Sequence, residues 1–399
     1  MHLLRLPTAL LLHCLSYVVG TVSDAVNLNN VCRLLQHHVR ATPRLFKTIL
    51  VTAFRQNTTK LAAVHPYWEN IVFRGATSIG AFCGSVRVVK GLLSDNVLVE
   101  LTGAPYLRVL KISPGRATPS GLLRVLNKLT RLEQLSVPFE MNHLLLRVIP
   151  PTLRSLKTRS LPLHFCANLS QLSNLTIGAC PSSLELLAAN CPNLQYLKIA
   201  SHVSTELVLH CSGFFQLRKL VLLVHASYSL PMSLLELSTF DSNDLIGPSP
   251  PLTNLELFRR EKPINQRHVD HLCSIATLRS VLLHGNVPGS TAQQLAGLPV
   301  LRELYLLEVR VCCDLIRFHR LKVLTINEYK KSMWLTDQVA HLTDLESLSI
   351  CASDINLFDL QRILVQLPTL KSLHLIDCQH LNPAQLRNQL SPQLQVCIE

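Results

Sequence analysis

The chain lacks the short signatures that enzymes are built around. It has no G-x-x-x-x-G-K-[ST] loop to cradle phosphates, no G-x-S-x-G elbow for a nucleophilic serine and no H-E-x-x-H pair for a catalytic zinc. C-x-x-C is absent too, and the cysteines number thirteen, an odd set. That argues against a disulfide framework and for a reducing compartment, where free thiols pack as small hydrophobes. No apolar run reaches the roughly 18 residues needed to span a bilayer. Charge is scarce, at 16% of residues, and acids are scarcer than bases, 25 against 38. The resulting net charge of +13 favours acidic partners without naming one. The nearest approach to a metal cluster is His268, His271 and Cys273, with no second ligand pair elsewhere, and a solvated helix explains it better. Cys312 and Cys313 are vicinal and poorly placed to bridge, so they read as packing. The expectation is a chain that is not an enzyme and holds no cofactor or metal.

What the chain has is leucine, in a fixed frame. Residues 191–199 read CPNLQYLKI, with apolar side chains at Leu194, Leu197 and Ile199, positions 1, 4 and 6 of a unit. The last two share one face of a strand, and the first closes the turn before it. The frame restarts at Leu107, Leu132, Leu153, Leu172, Leu194, Leu217, Leu234, Leu252, Leu278, Leu301, Leu321, Leu345 and Leu370, thirteen times at intervals of 17 to 26 residues. Eleven starts keep all three apolar positions; Thr158 and Thr239 stand at position 6 in the other two. A fourteenth, at Leu394, fails with Cys397 and Glu399 and reads as a degenerate cap.

This period and this core resemble leucine-rich repeats. The resemblance implies an α/β fold, a leucine-rich-repeat solenoid (horseshoe) of about 13–14 coils over residues 103–399. Leucine ladders also account for the 48% apolar content without any membrane-facing surface. Return helices are expected at residues 119–129, 181–190, 269–278 and 356–367. The spacing from Leu234 to Leu252 leaves little room for one. Cys191-Pro192-x-Leu194 opens one coil, and Cys180 and Cys378 end two others at position 9, which resembles the cysteine-containing repeats common in F-box proteins. Asn286 holds position 9 in one repeat and other residues do in most, so the usual asparagine ladder is eroded and the horseshoe should be irregular.

Ahead of the ladder, residues 6–50 place Leu10, Leu11 and Leu15 at helical spacing after Pro7, a first-turn proline. Ser23 or Asp24 can cap a second helix carrying Leu28, Val31, Leu34 and Leu35, and Pro43 separates a third apolar segment at residues 45–50. Three short amphipathic helices of this kind make a module with little core of its own, one that docks on something. Leu6-Pro7, Leu15-Ser16-Tyr17, Val31-Cys32-Arg33 and Pro43-Arg44-Leu45-Phe46 fall in the order and spacing of an F-box, which this stretch resembles. The resemblance implies a three-helix F-box-like module at residues 1–55 that binds a Skp-type adaptor and so joins a cullin scaffold. The adaptor contacts would be Leu6, Pro7, Leu11, Leu15, Val31, Cys32, Leu45 and Phe46. The chain would then be a cytoplasmic or nuclear substrate receptor of a ubiquitin ligase. Seven basic residues and one acid, Asp24, before Trp68 suit an acidic adaptor surface.

The same N-terminus supports a second reading. Residues 1–5 can be a charged n-region, 6–19 an apolar h-region and Ser23-Asp24-Ala25 a cleavage site, as in a secretory signal peptide. A secreted or surface recognition protein would then begin near Ala25 and carry sugar at Asn57, Asn168 or Asn174. This reading leaves residues 26–50 unexplained, and Asn174 falls on an expected strand. Between module and ladder, residues 56–102 are poorly organised. Strands are expected at 67–73, 85–89 and 97–101, as an irregular cap or first degenerate repeats.

Positions 1, 4 and 6 are structural, so binding residues belong at positions 3, 5 and 7, which face solvent from the inner sheet. There Lys111, Lys157, Arg159, Lys198 and Lys219 make the N-terminal half basic. Further on come Phe240, Phe258, His284 and Tyr305, with Leu223, Leu282 and Leu307 beside them. Exposed aromatics of this kind offer large contact area at little entropic cost. Phe240, Phe258, Leu282, His284 and Tyr305 are the candidate substrate contacts. A nucleic-acid ligand would want aromatics interleaved with the basic residues, and here the two are segregated, so a protein partner is expected.

Overall fold

The computed structural model describes residues 48–52, 70–74 and 86–399, apart from 163–168, 180–182, 201–206, 225, 241–247, 259–269, 271–272, 286–288, 308–314, 328–331, 352, 379, 382–393 and 399. The chain forms two compact units, Met1–Ser201 and His202–Glu399. Both are leucine-rich-repeat solenoids, built of parallel strands that follow one another in chain order.

In the first unit the strands are β1 (Thr48–Thr52), β2 (Asn70–Arg74), β3 (Val88–Leu92), β4 (Val109–Ile112), β5 (Gln134–Ser136), β6 (Ser155–Thr158), β7 (Asn174–Ile177) and β8 (Tyr196–Ile199). Each pairs in parallel with the next, and one row of the ladder runs Ile49, Ile71, Val89, Leu110, Leu135, Leu156, Leu175, Leu197. That row is position 4 of the repeat. Three coils therefore precede Leu107, and the frame hides them because their position-4 and position-6 residues are isoleucine, valine, phenylalanine and glycine. Gly91 stands at position 6 with φ 123°, in the left-handed half of conformational space that glycine enters without a side-chain penalty.

Two sequence expectations fail in this unit. Residues 97–101 were expected as a strand but belong to helix α1 (Asp95–Glu100) and a 3-10 turn at Leu101–Gly103. The valines favour a strand, yet Ser94 caps the helix by accepting from the Val97 N–H, and Val97, Leu98 and Leu101 are buried together on a helical face. Residues 45–50 were expected to be helical, whereas Thr48–Thr52 is strand β1, rich in β-branched residues and paired to β2. The ladder thus starts inside the stretch assigned to the helical module. The return helices are α2 (Pro119–Leu126), α3 (His143–Arg147) and α4 (Leu184–Asn190), capped by Thr118, Asn142 and Ser183, each accepting from the backbone N–H of the third residue of its helix.

In the second unit, β10 (Lys219–Leu222) follows β9 (Leu207–His210), and β11 (Ala226–Ser229) precedes β12 (Glu236–Phe240). Then come β13 (Asn254–Phe258), β14 (Ser280–His284), β15 (Glu303–Leu307), β16 (Val323–Asn327), β17 (Ser347–Cys351), β18 (Ser372–Ile376) and β19 (Gln395–Ile398). Strands β10 and β12 to β19 pair in parallel, while β9 and β11 make a separate two-stranded ribbon. Strand β11 occupies the short interval between Leu217 and Leu234. The helices whose bounds lie among the described residues here are α5 (Gly289–Ala296), α6 (Ser332–Val339) and α7 (Leu357–Gln366). Residues 269–278 lie partly outside the described residues.

The frame's core positions behave as the pattern demands. Every position-4 and position-6 side chain from Leu110 to Leu375 is buried, and so is every position-1 leucine except the half-buried Leu370. Both threonine exceptions are hydrogen-bonded in the core. Thr158 Oγ1 donates to the carbonyls of Phe139 (2.8 Å) or Ser160 (3.1 Å), and Thr239 bonds the Tyr228 hydroxyl of β11. The last coil is out by one residue. Val396 and Ile398 pair with Leu373 and Leu375, so they hold positions 4 and 6 in place of Cys397 and Glu399. Anchoring on Leu394 had shifted the frame.

Adjacent coils are stitched by hydroxyls at the residue before position 1. Thr152, Ser233, Thr277 and Thr369 each donate to the position-1 carbonyl of the preceding coil, at Leu132, Leu217, Leu252 and Leu345, over 2.8–2.9 Å. Cys378, at position 9, donates its thiol to the Ile350 and Ile376 carbonyls at 3.6 Å. The lost asparagine ladder is thus partly replaced.

Candidate functional site

With positions 4 and 6 buried, positions 3, 5 and 7 form the open face of each sheet. In the second unit the strand pattern is a repeated half-buried/buried alternation from β14 to β18. Register places Phe240, Phe258, His284 and Leu307 side by side in the position-7 row. The Phe258 and His284 rings are in contact range, with centroids 6.3 Å apart and planes tilted by 48°. In the position-5 row, Leu282 pairs with Tyr305. All four of these side chains are half-buried, which marks a surface that is neither core nor fully solvated. The Tyr305 hydroxyl donates to Glu303 Oε2 at 3.2 Å, and partial burial, reinforced by Glu303, pushes its pKa up. Glu256, beside Leu282 in the row, accepts from the buried Ser238 hydroxyl at 2.6 Å. The structure therefore brings Phe258, Leu282, His284 and Tyr305 onto one face of three adjacent strands, with Phe240 in register on the fourth.

The first unit's open face is basic. Its position-5 row reads Lys90, Lys111, Ser136, Lys157, Thr176, Lys198. Lys90, Lys111 and Lys157 are exposed and Lys198 half-buried, and Arg159 lies exposed on the same strand face two residues beyond Lys157. Lys90 was missed by the sequence frame, which starts at Leu107; its signal is the Val86-x-x-Val89 spacing one coil earlier. Lys219 does not belong with this set. It lies in the second unit and its Nζ is 2.7 Å from Glu236 Oε2.

Leu6, Pro7, Leu11, Leu15, Val31, Cys32, Leu45 and Phe46 lie outside the described residues, as do His268 and His271. Among the described residues no group of His, Cys, Asp or Glu could hold a metal, and no helix is long and apolar enough to cross a membrane. The six described cysteines are free thiols, and burial pushes the Cys273 and Cys378 thiols up, away from nucleophilic behaviour.

The sequence matches no protein-family model and no curated protein. Among solved structures, an internalin from Listeria monocytogenes is 14% identical over 96% of this chain and 94% of its own, with a TM-score of 0.37. A leucine-rich-repeat protein of Leptospira interrogans is 14% identical over 86% and 98%, with a TM-score of 0.44. Toll in its complex with Spatzle, from Drosophila, is 13% identical over 83% of this chain and 50% of its own, also at 0.44.

Proposed function

We propose that this chain is the substrate-recognition subunit of an SCF-type ubiquitin ligase. In this reading residues 6–46 bind a Skp-type adaptor, which attaches the chain to a cullin, and the open sheet face selects the protein to be modified. The observation that carries the proposal is the F-box order of Leu6-Pro7, Leu15, Val31-Cys32 and Pro43–Phe46 directly ahead of a leucine-rich-repeat ladder. Strand β1 begins two residues after Phe46, so the motif and the first coil abut without a linker. Free thiols throughout the described part agree with a reducing compartment. The half-buried set Phe258, Leu282, His284 and Tyr305 supplies the surface for a protein partner. Catalysis would come from holding a substrate lysine near the charged ubiquitin carrier.

The test is capture of a purified Skp-type adaptor by the full chain and by a Leu6→Ala, Pro7→Ala, Leu15→Ala variant. Binding that the triple variant loses, with an unchanged thermal unfolding midpoint, supports the assignment. Equal capture by both proteins, or none by either, removes it.

A further inference from the structure

The row Lys90, Lys111, Lys157, Lys198 has a property that ordinary solvated lysines lack: among the described residues, no acid stands on the strands that carry it. Strands β3 to β8 carry no Asp or Glu at any position. Of the described acids beside these strands, Glu133 sits at position 2 and pairs with Arg108 at 3.5 Å, and Glu140 is exposed at position 9, past the end of β5. In the second unit, by contrast, Lys219, Lys322 and Lys371 are each matched to a carboxylate. Between and beside the lysines the same face carries the short residues Ser113, Ser136, Ser155, Thr176, Gly178 and Ala200, along with the longer Gln134, Asn174 and Tyr196. Gly178 is held to its size by packing, since a Cβ there would lie 3.1 Å from the Arg159 carbonyl oxygen. The result is an open sheet face with a one-signed row of cations along it.

We infer that this row is a docking surface for an extended acidic segment of a protein partner. Strands lie about 4.8 Å apart, so Lys111, Lys157 and Lys198, on every second strand, stand at intervals of roughly 9.6 Å. A polyproline II segment returns to the same side every three residues, after about 9.3 Å. Acidic residues spaced by three would thus meet successive lysines, with the intervening side chains over the residues between them. Charge complementarity selects the carboxylates, and the narrow row selects an extended chain. A single-stranded nucleic acid fits less well, because stacking aromatics are needed between the cations, and the described face offers one, Tyr196 beside Lys198 at the end of the row. This inference rests on the reading of the open face as the recognition surface and names the chemistry that the face accepts.

The test uses the full chain and a fluorescein-labelled peptide of five Glu-Pro-Ser repeats, with the Gln-Pro-Ser peptide and a fifteen-nucleotide oligo-dT as comparisons. At low salt the acidic peptide should bind and the glutamine peptide should not. The Lys111→Gln, Lys157→Gln, Lys198→Gln variant should weaken binding about tenfold, since one exposed ion pair contributes at most about fivefold. A Lys128→Gln, Lys322→Gln, Lys371→Gln control loses the same net charge and should bind within about twofold of the parent. Equal losses in the two variants, or none in the first, overturn the docking surface. Tighter binding of oligo-dT, lost with the row lysines, overturns it in favour of a nucleic-acid surface. Adaptor capture is measured in parallel. If capture fails while the peptide result holds, the ligase reading falls and the docking row stands; if capture holds and the row variant binds peptide normally, the reverse is true.

Discussion

Asp95 grips Thr118 with both carboxylate oxygens: Oδ1 accepts from the Thr118 backbone N–H at 2.7 Å, and Oδ2 from its hydroxyl at 2.7 Å. Thr118 in turn caps helix α2 by accepting from the Gly121 N–H at 3.1 Å. The first turn of α1 thereby fixes the start of the next return helix, one coil later. The arrangement needs residue 121 to be glycine, because a Cβ there would fall 2.1 Å from Asp95 Oδ1.

Gly121→Ala should therefore destabilise the protein, although alanine is the better helix former by about 1 kcal/mol. Asp95→Ala removes two bonds to a charged acceptor and should cost about 1.5–3 kcal/mol. In the Asp95→Ala background the nearest contact to a new Cβ relaxes towards the 2.9 Å separation from the Asp95 Cβ, so the Gly121→Ala penalty should shrink. Urea unfolding of the four proteins in a double-mutant cycle measures the coupling. Additive effects would mean that the two residues are independent.

The hydroxyl rungs make a second prediction. Thr152 and Thr369 each donate to the position-1 carbonyl one coil back, at 2.8 and 2.9 Å. Thr→Val keeps the shape and deletes the donor, so each variant should lose about 0.5–1.5 kcal/mol. Ser substitution keeps the donor and should recover most of it. A Thr→Val variant as stable as the parent, with Thr→Ser destabilised, would assign the role to the methyl group instead.

These rungs show where sequence reading stops. Leu197 and Ile199 could be placed in the core because burial of alternate residues writes a period into the chain, and all thirteen coils followed it. The coils of Ile49, Ile71 and Val89 keep the period but not the leucine, so a leucine search starts at Leu107 and misses Lys90. Residues 97–101 misread because their valines favour a strand while the deciding groups are Ser94, which caps the helix locally, and Asp95, whose hydrogen bonds reach to another coil. The rows of the open face were legible as positions, since register follows from the frame. Their partners were not: Lys219 read as one more free cation, and only the fold sets Glu236 beside it.

Tyr228 yields an alkaline prediction. It is 3% exposed, and burial, opposed by its Thr239 hydrogen bond and aided by Cys211, pushes the phenol up to about 12. A pKa raised on folding means that the neutral form is the one the fold accepts. The stabilisation is complete below the unfolded value of 10.0 and is lost as pH rises through about 12. Tyr228→Phe forfeits the bond to Thr239, and about 1 kcal/mol with it, at pH 7. Between pH 10 and 12 the parent should lose stability faster than the variant, narrowing the gap. Urea midpoints at pH 7, 9, 10 and 11 test this, and parallel curves would place the Tyr228 ionisation elsewhere.

Glu346 yields the opposite sign. Its Oε1 takes Lys322 Nζ at 2.5 Å and its Oε2 takes Lys371 Nζ at 2.6 Å, so position 2 of three successive coils reads Lys, Glu, Lys across the rim. The Lys322 hydrogen bond, then that of Lys371, and the charge of both lower its pKa from 4.5 to about 2. Here the charged form is the one the fold favours. Its contribution is present above pH 4.5 and is lost as pH falls through about 2. Glu346→Gln removes that contribution and leaves two lysines facing each other across the gap. The variant should melt below the parent at pH 7, and the difference should fade as the pH is taken from 4.5 towards 2. Because the triad is exposed, 1 M salt at pH 7 should shrink the difference as well. A difference independent of both pH and salt would mean that Glu346 acts through its packing and not through its charge.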